Sequence, residues 1–360
     1  MNLHAFLACL VVAAVPAAAH AATILVPADQ PTIQAAVDAA QDGDTIVIAK
    51  GKYPGNVVIS ARNNLTIQAN GKVTLQPSAV GMRIDGCTGI RVTGLAVVGG
   101  TTAFLVVSSQ NVTIERFSVR SVSEDGIAAT ASSGVHVLDG KIRGCGSDGI
   151  SFADSEPGLP VTASEIANVK VKDCENDGVD VLGADIVVSG CTATNVGDDG
   201  LESDDQSTGP VRFENCKAKG VGSDGFNLGA PGTTAVDCSS TASADDGFDI
   251  EGAGSRVERC TAKKSRSNGF QMEVTGATLL ACSAAQSSKR GFELVSVTNS
   301  RLENCSAKKS GQAGFFLDAN SSGNTLVSNE ASASRTFDLD DESGGANTLQ
   351  SNQFRTVDPN

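Results

Sequence analysis

The chain has no tryptophan and a single tyrosine, Tyr53, and aromatic residues make up only 4% of its 360 residues. Aromatic platforms on which a neutral sugar ring could stack are therefore scarce, and most of the 13 phenylalanines are expected in the core. Histidine is nearly missing as well. His4 and His20 fall within the first 21 residues, which leaves His136 alone in the body of the chain and nearly excludes histidine-based catalysis. Ten cysteines occur but no C-x-x-C pair, which argues against zinc. Helical apolar periodicity is absent from most of the chain, and no later stretch is long and apolar enough to span a membrane. Cations are the minority charge: 27 Lys and Arg against 41 Asp and Glu give a net charge of -14, which argues against nucleic acid as a partner.

What the chain does have is a repeat. An Asp-Gly-apolar triplet stands at Asp125, Asp148, Asp177, Asp199, Asp224 and Asp246, then decays through Asn268-Gly269-Phe270, Arg290-Gly291-Phe292 and Ala313-Gly314-Phe315. Intervals of 22 to 25 residues, with one longer gap, mark a solenoid. Short apolar runs such as Phe213-Glu214-Asn215-Cys216 alternate with Gly, Asn, Asp and Ser clusters, and no helical pattern separates them. The expected fold is all-β: one domain, residues 22–360, forming a right-handed parallel β-helix. Roughly a dozen coils over residues 44–354, at about 4.8 Å each, would make a rod of roughly 60 Å. Residues 31–41 read as a helix with Pro31 in its first turn and Ile33, Val37 and Ala40 on one face, placed to cap the open end of the rod.

The first 21 residues resemble a secretory leader, with an apolar run over residues 7–15 and Ala19-His20-Ala21 before Ala22, although no Lys or Arg precedes the run. Cleavage after Ala21 would give a secreted or periplasmic protein. Cys9 would leave with the leader. Eight of the nine remaining cysteines, Cys145, Cys174, Cys191, Cys216, Cys238, Cys260, Cys282 and Cys305, read as one interior column shared with Leu95 and Phe117. From that column to the triplet Asp is eight residues in most coils but three after Cys145 and Cys174. Two coils are thus expected to lack five turn residues, and residues 154–160 and 203–210 to project as loops.

The plain reading of each triplet is turn chemistry, with Asp bonding its own backbone and Gly at positive φ. Stacking strains that reading. Carboxylates about 4.8 Å apart repel by about 0.9 kcal/mol in water and about 3.5 at an effective dielectric of about 20, a cost that Asn would avoid. Acidic density peaks at Asp198, Asp199 and Glu202, then at Asp245, Asp246 and Asp249 with Asp224 in the coil beneath. Such hard oxygen donors suit Ca²⁺. Asp177 completes the first, looser set.

At Asp245-Asp246-Gly247-Phe248-Asp249 the chain resembles the parallel β-helix pectate lyases, above all the calcium-dependent family 9 polysaccharide lyases. The resemblance implies Ca²⁺ ligands at Asp224, Asp245, Asp246 and Asp249, and β-elimination on an acidic, uronate-containing polysaccharide. It also implies a catalytic Lys after Gly269-Phe270, where this chain has Gln271. Arg290 and Lys289 are the replacement candidates for the base. The Gly-His-Gly of polygalacturonases and the Asp-Pro-His of alginate epimerases are missing, while paired carboxylates keep inverting hydrolysis open. The expected partner is an acidic polysaccharide, with no nucleic acid and no membrane, met by a monomer. The alternative expectation is a non-catalytic rod whose acidic column binds cations for rigidity or adhesion.

Overall fold

The computed structural model describes residues 21–152 and 160–358. Residues 1–20 of the proposed leader and residues 154–159 of the first expected loop lie outside them. The architecture is a parallel β-solenoid of about 15 turns with one short helix. Each later coil repeats three short strands, exemplified by Arg256–Glu258 on a first face, Thr261–Lys263 on a second and Phe270–Met272 on a third. All pairings between coils are parallel; the third face is a ladder of thirteen strands. The first two faces merge in the early coils, where Thr45–Pro54, Thr66–Gln76 and Arg91–Val98 each run around the corner between them.

One residue with φ near +50 to +60° turns each of two corners: Asn215, Asp237 and Arg259 between the first and second faces, Asn195, Ala242 and Lys264 after the second. The triplet glycines are not among the positive-φ residues. They are required by close approach. A Cβ on Gly247 would meet Gly269 O of the next coil at 2.5 Å and collide with the Ala262 side chain. The apolar residue of the triplet points inward. Phe226, Phe248, Phe270, Phe292 and Phe315 form a buried stack with ring centroids 4.6–4.8 Å apart, which fixes the rise per coil. Burying each ring contributes about 2–3 kcal/mol.

The first rung precedes the helix. Thr23–Val26 pairs with Thr45–Ile48, one coil earlier than the sequence suggested. The helix is Ile33–Ala39, shorter than residues 31–41: Thr32 is its N-cap, accepting from Ala35 N, and Pro31 stands just outside it. Ile33, Ala36, Val37 and Ala40 are buried, so the helix covers the end of the core as expected.

Strand register corrects the cysteine column. Only Cys191, Cys216, Cys238, Cys260, Cys282 and Cys305 share the corner, continuing Leu95, Phe117, Gly140 and Val169. Cys145 and Cys174 belong to a second file, at the end of the second face, with Val122 below and Val196 above. Measured from Gly140 and Val169, the distance to Asp148 and Asp177 is the usual eight residues, so no coil is short of turn residues. Spacing to the nearest Cys misled because Gly and Val can fill the same interior corner. All nine described cysteines are free and buried, and burial pushes the Cys260 and Cys282 thiols far up, which keeps them protonated. The second expected loop, residues 203–210, is tied to the coil beneath rather than projecting. Ser203 and Ser207 are buried, Asp204 N donates to Val181 O, and Ser207 Oγ accepts from Gly183 N.

Candidate functional site: an acidic strip on the third face

The triplet aspartates do not bond their own backbone. Each carboxylate accepts the amide of the corresponding residue one coil up: Asp148 N to Asp125, Asp177 N to Asp148, Asp199 N to Asp177, Asp224 N to Asp199, Asp246 N to Asp224 and Asn268 N to Asp246, at 2.5–3.1 Å. The ladder goes one step further without charge, Arg290 N donating to Asn268 Oδ1 at 3.1 Å.

A second acidic file runs beside the ladder, on the outward positions of the third-face strands. Register aligns Asp180, Glu202, Asn227, Asp249, Gln271 and Glu293 in consecutive coils. Each stands three residues after its ladder partner, so Asp177 and Asp180, Asp199 and Glu202, and Asp246 and Asp249 flank the same short bend. Two triads offer oxygens within 4.8 Å of one another, Asp177 with Asp199 and Glu202, and Asp224 with Asp245 and Asp246. Asp249 stands beside the second triad rather than within it. Asp198 is exposed on the rim, two coils below Asp245 in the same file, and outside both triads.

Sequence reasoning overlooked Asp180. The signal available in the sequence is its place three residues after Asp177, the offset that Glu202 and Asp249 share. Its importance is electrostatic: Asp180 Oδ1 and Asp249 Oδ1 are both buried with no hydrogen-bond partner, one beside each triad. Burial, then the charge of neighbouring carboxylates, pushes Asp177 and Asp224 up to about 8, Asp180 and Asp249 to about 7, and Glu202 to about 9. Burial raises Asp246 less, to about 6, against the bonds it accepts from Asn268 and Ser267. Without a counterion Asp177, Asp224 and Glu202 hold their protons near neutrality, and Asp180 and Asp249 hold theirs in part. The donor set is all hard oxygen, and two of its buried oxygens lack partners, so the residues fit a divalent cation such as Ca²⁺.

Above the strip the chemistry changes sign. Lys289 is exposed, two coils above Asp245 in the rim file. Arg290, two coils above Asp246, is ion-paired with Glu293 and lies over the Phe316 ring, 3.6 Å from its centroid. Gln271 donates to Glu273 and accepts from Asn268. His136 lies on the first face, 3.4 Å from Glu165 and away from the strip.

A solenoid of this pairing and repeat defines a class, and the sequence places the chain within it. It matches the family described as right handed beta helix region over residues 55–208, 160–279 and 224–357, and belongs to that family. No curated protein matches it. Among solved structures it is similar to the receptor binding domain of the Siphovirus 9NA tailspike, with a TM-score of 0.68 and 12% identity over 91% of this chain and 76% of that one. The catalytic domain of a GH87 α-1,3-glucanase, solved with tetrasaccharides, gives a TM-score of 0.66 and 12% identity over 92% and 68% of the two chains. The A-module of a mannuronan C-5 epimerase from Azotobacter vinelandii gives 0.56 and 14% over 88% and 94%. At these identities the likeness establishes the fold alone, a right-handed parallel β-helix.

Proposed function

We propose that the chain acts outside the cytoplasm, exported by the leader in residues 1–21, on an acidic polysaccharide held along the strip of the third face. The observation that carries this reading is the pair of carboxylate triads, each beside a buried carboxylate oxygen with no partner. Several of the similar folds are named as carbohydrate enzymes, a glucanase, an epimerase and a rhamnogalacturonan lyase, which supports a sugar polymer as the partner. Asp224, Asp245 and Asp246, with Asp249 alongside, would hold one Ca²⁺; Asp177, Asp199 and Glu202, with Asp198 on the rim, would hold a second. Bound there, Ca²⁺ supplies neutralisation of a uronate carboxylate and acidification of the adjacent C5 hydrogen.

The reaction we assign is β-elimination. Arg290 is ion-paired with Glu293, and a guanidinium suits a substrate carboxylate better than proton abstraction. Lys289, exposed and without an ion-pair partner among the described residues, is then the better of the two for the proton. Binding without cleavage is the second reading, and the amide of Gln271 at the position where the resembling lyases have their base favours it. Incubation with polygalacturonate and with alginate, with and without Ca²⁺, separates the two. Ultraviolet absorbance of an unsaturated uronate, dependent on Ca²⁺ and lost in Lys289→Ala, supports the lyase. Unchanged polymer length and no absorbance leave a calcium-binding rod.

A further inference from the structure

Charge on this rod is sorted by face. On the first face cations are neutralised along the strand, Arg212 by Glu214, Arg256 by Glu258 and Arg301 by Glu303. The second face is different. Its outward positions carry Lys141, Lys170 and Lys217 in one file and Arg120, Arg143, Lys172 and Lys219 in the other, all exposed. Among the described residues its strands include a single carboxylate, Glu330. Arg143 and Lys172 both reach Asp173 at the corner, at 3.0 and 3.8 Å; the other five have no ion-pair partner among the described residues. Coils that put Thr192, Thr194, Ser239 or Thr241 in these files pair in the same way, so the strands do not need the cations.

Over the first coils the face deepens into a cleft of about 670 Å³, walled by Lys50, Lys52, Lys72 and Arg120 and floored by Ala96 and Val98. The lip bearing Lys72 exists because the chain takes more residues from Gln68 to Val73 than its partner takes from Thr93 to Leu95. An adjoining hollow of about 420 Å³ shares Lys72, Ala96, Ser118 and Arg120 and reaches Lys141, so the groove continues up the rod. Cations on a small apolar floor match a sugar polymer with one carboxylate per residue: charge meets charge, and ring C–H groups meet Ala96 and Val98. Nucleic acid fits less well, because Tyr53 packs against the core and Phe117, which lines the adjoining hollow, is buried, so neither offers an exposed ring for base stacking. The net charge of -14 does not forbid an anionic ligand here, since exposed charges are screened beyond about 8–10 Å at physiological salt.

We propose that the second face is a further binding surface for an acidic polysaccharide lying along the rod, separate from the acidic strip and independent of any metal. Binding of polygalacturonate in excess EDTA measures this surface by itself. The variant Lys50→Gln, Lys52→Gln, Lys72→Gln should bind about tenfold more weakly, with a shallower dependence of log affinity on log salt. Its thermal melt should match the parent, since all three side chains are exposed, and Asp245→Ala should bind in EDTA like the parent. Equal affinity of triple variant and parent, no binding by the parent in EDTA, or equal binding of neutral dextran would each overturn the proposal. So would parent self-association in sedimentation that the triple variant loses, because the groove would then receive the acidic strip of a second copy. Calcium binding at the strip is read in a separate titration, so either surface can fail without the other.

Discussion

From Asp125 to Asp246 and from Asn268 onward, the rod builds the same corner with different chemistry. In the lower coils a carboxylate caps the amide of the coil above; at Asn268 an amide oxygen makes the same bond to Arg290, and at Ala313 no side-chain oxygen remains. The glycine and the inward apolar residue persist through both parts, with Gly225 and Gly291 packed equally close to the next coil. The comparison separates what the fold requires from what it tolerates. Glycine and the apolar residue are structural, whereas the stacked carboxylates are pushed up by burial and by one another's charge and leave buried oxygens unpaired, a cost the upper coils show to be avoidable.

The largest effect is expected from breaking what the two parts share. Gly225→Ala and Gly291→Ala each drive a Cβ to about 2.5 Å from a carbonyl of the next coil and should cost about 3 kcal/mol or more in urea unfolding, alike in both parts. A cost confined to the acidic coils would show that their glycines serve the site instead. Next comes pH. The carboxyls of Asp177, Asp180, Glu202, Asp224 and Asp249 are raised on folding, so the folded chain holds protons that the unfolded chain releases above about pH 4. The stability they contribute is full below that pH and is lost as pH rises toward 7 to 9, by about 1.4 kcal/mol per unit for each group still protonated. Metal-free protein should therefore melt at a lower temperature at pH 8 than at pH 5, and Ca²⁺ should restore stability chiefly at pH 8. A flat profile would contradict the burial of uncompensated charge. The smallest effect belongs to the paired first face, where Arg256→Ala should cost no more than about 0.5 kcal/mol.

The repeat was legible because its period and its glycines are geometric necessities, and the all-β rod with its capping helix follows from them. Cysteine register was less so: a buried corner accepts Leu, Phe, Gly, Val or Cys, and counting from Cys145 placed two residues in the wrong file. At the site, Asp224, Asp245 and Asp246 were legible from spacing alone, because parallel coils bring residues one period apart together. Asp180 was missed because its meaning lies in an unpaired buried oxygen, a property of packing. The cation files of the second face were equally hidden, since Lys141, Lys170 and Lys217 fall at unequal intervals and align only through register.

The claim that the strip keeps its carboxylates for a cation is tested most directly at Asp224. Asn there can accept the Asp246 amide as Asn268 accepts that of Arg290. Thermal melting of Asp224→Asn at pH 8 should show a gain of about 1–2 kcal/mol over the parent in EDTA, together with loss of most of the Ca²⁺-induced rise. A variant less stable than the parent in EDTA, or one whose Ca²⁺ response is intact, would make the aspartate ladder a structural feature and contradict the cation site.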